Sequence, residues 1–262
     1  MRKYSKILGA FSVSLASLLG FIEASHAQGS PVTAIDILLE PDATMVQHAQ
    51  ADNARLLKAY PDGFALDATH HPHITMLQQF VRTADLGKVY TAGSRILANE
   101  KLTSWNLKAF KYYYIPVPPD GIAGIVVEPT ENLLRLQQAL LDAVAPFTER
   151  TGTAAAFLSA DGGRDIQQGL IDYVANFTTV ASGKKFNPHV TIGVAPEAYL
   201  NEMLAEPFQT FIFAPVGASV YQLGSYALRP GGIATMNERH PDSARHRTMS
   251  RFSSSKGHGV DE

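Results

Sequence analysis

One short pattern occurs twice in this chain and fixes most of what it can become. Pro72-His73-Ile74-Thr75-Met76 and Pro188-His189-Val190-Thr191-Ile192 each read proline, histidine, apolar, threonine, apolar. Upstream of each, an apolar run ends in Glu-Pro: Ile37-Leu38-Leu39-Glu40-Pro41 and Ile125-Val126-Val127-Glu128-Pro129. A helical pattern follows both. Each half therefore reads strand, helix, strand, and a repeated supersecondary unit must bury its apolar faces against its own copy. The expected fold is α+β, a two-lobed duplicated strand–helix–strand unit with antiparallel sheets facing a central cleft.

The remaining elements follow from periodicity and turn chemistry. Strands are predicted over 33–39, 74–80, 105–115, 122–127, 189–194 and 218–228. Asp42 is placed to cap a helix that runs to about Lys58. Further helices are predicted over 86–99, 131–144, 165–177 and 197–204. The clearest is 131–144, which sets Leu133, Leu136, Leu140 and Val144 on one stripe.

Both ends of the chain fall outside this pattern. Arg2, Lys3 and Lys6 precede an apolar run from Ile7 to Ile22, and Ser25-His26-Ala27 offers small residues for cleavage. That layout predicts a signal peptide over 1–27, because the apolar run is shorter than the roughly 20 residues a membrane span needs. From Asn237 the residues are mostly polar, charged or small, which predicts a disordered tail over 237–262. The folded domain is then 28–236, exported across the inner membrane and periplasmic in a two-membrane bacterium, with no membrane span in the mature form, and monomeric.

Charge and composition exclude several classes of function. The net charge of −2 rules out a protein that coats nucleic acid by bulk electrostatics, though not a patch that grips one phosphate. The absence of cysteine excludes disulfides, thiolate zinc sites and cysteine nucleophiles.

The two tripeptides carry the chemistry. Side chains alternate across a strand, so His73 and Thr75 share one face while Ile74 points to the core; His189, Thr191 and Val190 repeat this. Two such strands side by side present two imidazoles and two hydroxyls around one point. That set suits phosphoryl chemistry: one imidazole takes a proton, the other delivers one, and the hydroxyls bind phosphate oxygens. Histidine suits both tasks because its ordinary pKa, about 6.5, lets either form exist near neutrality. Near-identical tripeptides do not tell which histidine is acid and which is base.

The stretches HPHITM and NPHVTIG, with the apolar first strand and the closing run Val220-Tyr221-Gln222-Leu223, resemble the two-histidine (2H) phosphoesterase superfamily. That superfamily includes the bacterial RNA 2′,3′-cyclic phosphodiesterases, also called 2′-5′ RNA ligases. The resemblance covers nearly all of the 28–236 core. It implies metal-independent hydrolysis of a cyclic or related phosphodiester, without cofactor, on a small nucleotide or RNA end. Reversible RNA ligation is a second implied activity. The implied site is His73 and His189 for catalysis, with Thr75 and Thr191 on the phosphate.

Other residues have competing roles. Lys185, just before His189, is a candidate phosphate contact or part of a solvated loop. Tyr113, within Tyr112-Tyr113-Tyr114, is a candidate base contact or a packing residue on the sheet. His70 and His71 lack the converging acidic partner that a zinc site needs, so no metal is expected. Two other functions remain open: a non-catalytic protein of the same fold that binds a nucleotide phosphate, and a metal-dependent hydrolase.

Overall fold

The first apolar run forms β1 (Val32–Pro41), and its alternation divides the molecule in two. Ile35, Ile37 and Leu39 join the main core, whereas Ala34 and Leu38 pack into a smaller cluster with Phe80, Phe157, Val174 and Leu223. In this computed structural model, residues 31–67, 70–159, 166–224 and 234–235 are described. The expected leader (1–27) and tail (237–262) lie outside the described residues.

Asp42 caps α1 (Ala43–Ala59) as expected: its Oδ1 accepts the Thr44 and Met45 amides at 3.0 and 3.3 Å. The second half repeats the pattern, with Thr130 capping α3 (Glu131–Val144), whose buried residues include Leu133, Leu136, Leu140 and Val144. Between them come β2 (Ile74–Arg82), α2 (Leu86–Leu97), β3 (Leu107–Val117) and β4 (Asp120–Val127). After α3 follow β5 (Thr148–Glu149), α4 (Gln168–Val180), β6 (His189–Pro196), α5 (Glu197–Ala205), β7 (Phe211–Phe213), β8 (Pro215–Gln222) and β9 (Ala234–Thr235).

The strands form one antiparallel sheet in the order β7-β3-β4-β6-β2-β1-β8-β9, with β5 added beside β2. This corrects the expectation of separate sheets. The two histidine strands lie side by side at the centre, where β2 meets β6 at Ile74 and Val190. Two boundaries also differ. The helix expected from residue 165 starts at Gln168, because Ile166 is already buried in the smaller cluster. The last long strand begins at Pro215, since β1 runs on to Pro41, which faces Pro215, and it ends at Gln222; residues 225–228 of the expected strand lie outside the described residues.

Two buried amides tie the halves together. On α1, Asn53 donates Nδ2 to the carbonyls of Phe64 (2.9 Å) and Ile192 (2.8 Å), and its Oδ1 accepts the Leu66 amide at 3.0 Å. On α3, Gln137 donates Nε2 to the carbonyls of Met76 and Ala181, both at 3.1 Å, and its Oε1 accepts the Gly183 amide at 3.3 Å. Met76 and Ile192 each stand three residues after a histidine of the doubled pattern. Each helix therefore grips the histidine strand of the other half and a loop of its own half.

Gly193 lies beside the Asn53 contact with φ at +147°, a region that L side chains rarely adopt. A Cβ there would stand 2.9 Å from Leu56 Cδ1 and 3.0 Å from Asn53 Nδ2. Gly193→Ala is expected to cost about 1–3 kcal/mol from backbone strain alone. Urea denaturation of the variant checks this, and an unchanged midpoint would contradict it.

Candidate active site

Strand alternation sorts β2 and β6 as the sequence predicts. Ile74 and Val190 are fully buried in the main core. His73, Thr75, His189 and Thr191 are half-buried on the opposite face. Antiparallel pairing at Ile74 and Val190 sets the register: His73 comes level with Thr191, and Thr75 with His189.

Both imidazoles are held alike. His73 Nδ1 lies 2.6 Å from the His71 carbonyl, and His189 Nδ1 lies 2.7 Å from the Asn187 carbonyl. A carbonyl only accepts, so Nδ1 must carry the proton in each ring. The neutral form is then the Nδ1–H tautomer, with the Nε2 lone pair left for chemistry. Burial lowers the pKa of both rings, that of His73 to about 4 with a further push from His189. Both are neutral, and able to accept a proton, in the free protein at neutral pH.

The surroundings of the two rings differ. His189 meets the edge of Tyr113 at 4.7 Å between ring centroids, and Tyr113 is itself held protonated by burial. His189 and Thr75 open into a cavity of about 540 Å³ whose walls include Tyr113, Tyr173, Phe177 and Lys185. His73 opens on the other side into a cavity of about 360 Å³ with Glu40, Leu66, His71 and Tyr221. Lys185 reaches the larger cavity, but its Nζ donates to the Thr179 carbonyl at 2.9 Å. The neighbouring tyrosines face away from this site: Tyr112 donates its hydroxyl to Asp52 at 3.1 Å, and Tyr114 donates to Asn201 at 3.1 Å. His70 stacks on Phe64, and His48 on Phe211. Among the described residues, no group of three His, Cys, Asp or Glu side chains is placed to hold a metal ion.

Sequence reasoning missed Asp36. It stands in β1 with no exposure, on the site face between Ile35 and Ile37. Its Oδ2 accepts the Thr75 hydroxyl at 2.9 Å and the Gln78 amide at 2.7 Å, and lies 3.9 Å from His73 Nε2. Its Oδ1 is buried without a hydrogen-bond partner among the described residues. Burial raises its pKa to about 7, against the opposing effect of its two donors. The available signal was one acid in the apolar run from Val32 to Leu39, where an ionised side chain is costly without a purpose.

No family model matches the chain, and no curated protein matches it. Among solved structures it is similar to the crystal structure of TT0787 of Thermus thermophilus, at 15% sequence identity. That likeness covers 72% of this chain and 88% of that one, with a TM-score of 0.44. It is a likeness of fold. No helix among the described residues is long and apolar enough to cross a membrane.

Proposed function

We propose that the chain is a metal-independent phosphodiesterase of the two-histidine type, acting on a 2′,3′-cyclic phosphate or a related nucleotide diester. The observation that carries this reading is the matched fixing of the imidazoles. On adjacent strands, each ring spends Nδ1 on the carbonyl two residues before it and keeps Nε2 for the substrate. The reciprocal grip of Asn53 and Gln137 supports the companion reading of a duplicated two-lobed unit.

The chemistry is a general acid–base displacement at phosphorus. One Nε2 takes a proton from water, and the water oxygen attacks phosphorus. The bond from phosphorus to a ribose oxygen breaks, and the other Nε2–H delivers its proton to that oxygen. The product is a phosphomonoester with one free hydroxyl. Thr191 and Thr75 stand on the same face to contact the non-bridging oxygens, Thr75 once its hydroxyl turns from Asp36 to the phosphate. The aromatic wall of Tyr113, Tyr173 and Phe177 offers stacking surface for a base beside the phosphate. Export follows from the sequence pattern of residues 1–27 and is proposed with the activity.

The test is a screen of the purified protein against 2′,3′-cyclic nucleotides, short RNAs ending in cyclic phosphate, and ADP-ribose 1″,2″-cyclic phosphate. Turnover is expected on at least one, unchanged by a chelator, since two imidazoles supply acid and base unaided. Activity lost in chelator and restored by zinc or manganese would reject the metal-independent reading. Tight binding of these compounds without turnover would assign the fold to binding instead.

A further inference from the structure

Near-identical tripeptides give near-identical strands, yet among the described residues Asp36 is the one fully buried carboxyl in contact with an imidazole of the site. Asp36 lies on the site face of β1, within hydrogen-bond distance of Thr75 and 3.9 Å from His73 Nε2. Around His189 the corresponding neighbour is the Tyr113 ring edge, which carries no charge.

We infer that Asp36 is a positioning residue that shares one proton with His73 and so makes His73 the acid of the pair, leaving His189 as the base. The inference rests on the two-histidine reading for its catalytic part; the pair itself rests on the 3.9 Å approach of Asp36 Oδ2 to His73 Nε2 and on the full burial of the carboxyl. A fully buried carboxyl with one oxygen unpartnered is a costly thing to keep in a sheet. Gln78 and Thr75 satisfy only Oδ2. The groups facing the carboxyl are Thr75 and Gln78 on β2, Tyr221 across from it on β8, Tyr173 on α4, and His73. Of these, His73 is the one basic group, while burial holds the two tyrosines protonated. Burial pushes the carboxyl up and the imidazole down, so in the free protein the proton rests on Asp36 and His73 is neutral.

In turnover the 3.9 Å gap between the Asp36 carboxyl and His73 Nε2 closes for the proton to pass, and the Nε2–H then turns to the departing ribose oxygen and protonates it. His189 Nε2 takes the proton of the attacking water. At the end His189 is charged, the Asp36–His73 pair is one proton short, and exchange with water restores both. Asp36 also accepts the Thr75 hydroxyl proton in a hydrogen bond, which directs that side chain while the carboxyl is ionised.

The experiment reads the rings directly. Ring-proton shifts of His73 and His189 are followed by NMR against pH in the wild type and in Asp36→Asn, which keeps shape and removes a buried ionisable group. In the wild type, His73 is expected to respond in two steps, one of them shared with the Asp36 carboxyl. In Asp36→Asn the upper step is lost, and the His189 curve stays where it was. An identical His73 curve in both proteins overturns the inference. The wild-type carboxyl resonance supplies the same answer without any substitution, since a carboxyl that titrates with no response in His73 also overturns it.

Kinetics separate acid from base. Asp36→Asn is expected to lower kcat on 2′,3′-cyclic AMP on the order of tenfold, with KM little changed. On bis(p-nitrophenyl) phosphate, whose leaving group departs without a proton, the loss is expected to shrink to within about threefold. Equal losses on both substrates overturn the assignment of His73 as acid. Absence of turnover in the wild type instead rejects the phosphodiesterase reading, and the ring titrations then judge the pair by themselves.

Discussion

His73→Ala and His189→Ala are each expected to lose at least about a hundredfold in kcat/KM on the best cyclic phosphate substrate, the ordinary contribution of a general acid or base. The loss belongs to chemistry rather than to folding. The strands are held by Ile74 and Val190 in the core, whereas the imidazoles lie on the opposite face, against their local carbonyls, Asp36 and Tyr113. Circular dichroism and urea midpoints of both variants should therefore stay close to wild type. The double variant should fall little further than either single one, because two groups that act in one proton relay do not contribute independently. Thr75→Ala and Thr191→Ala should cost less, about 1.5–3 kcal/mol each for one hydrogen bond to a charged oxygen. Near-wild-type turnover in either histidine variant would end the two-histidine mechanism for this protein.

The largest effect on stability is expected from the two amides that cross between halves. Asn53→Leu strands the Phe64 and Ile192 carbonyls and the Leu66 amide; Gln137→Leu strands the Met76 and Ala181 carbonyls and the Gly183 amide. A buried orphan such as the Ile192 or Met76 carbonyl costs about 1–3 kcal/mol and the part-buried groups less, so either substitution should cost about 2 kcal/mol or more. A domain of ordinary stability, about 5–15 kcal/mol, has little room for both changes at once. Urea titration reads the loss, and a change below about 1 kcal/mol would show that water replaces the amide without penalty. Activity should decline with stability, because the stranded carbonyls of Met76 and Ile192 sit on the histidine strands.

Much of this was legible in the sequence because the doubled tripeptide is a local signal with a local consequence. Proline, histidine and threonine spaced along a strand fix which side chains share a face, and the structure keeps that arrangement in both β2 and β6. The helix over Glu131–Val144 was equally plain from its apolar stripe. What stayed hidden depends on distant pairing. The union of the halves into one sheet rests on the pairing of Ile74 with Val190, which no periodicity announces. The two amides differ in residue type and in place along their helices, so they did not register as a repeat. Asp36 passed unnoticed within the predicted strand 33–39, because a sequence does not show that both faces of β1 are covered. The helix expected from residue 165 began three residues late, since Ile166 serves the smaller core cluster before the helix starts.

The crossed grip of Asn53 and Gln137 also sets an order of events. Gln137 closes on Met76 across 61 positions, and Asn53 closes on Ile192 across 139. Long separations close late, because the entropy of bringing distant segments together must be met before their contacts reward it. The first half, emerging alone, holds a histidine strand whose backbone waits for a side chain not yet made, and a helix whose amide has nothing to hold. The joining of β2 to β6 is then expected to come late, with the two clamps, so a chain that stops short of it carries the two tripeptides without the shared face that β2 and β6 give them.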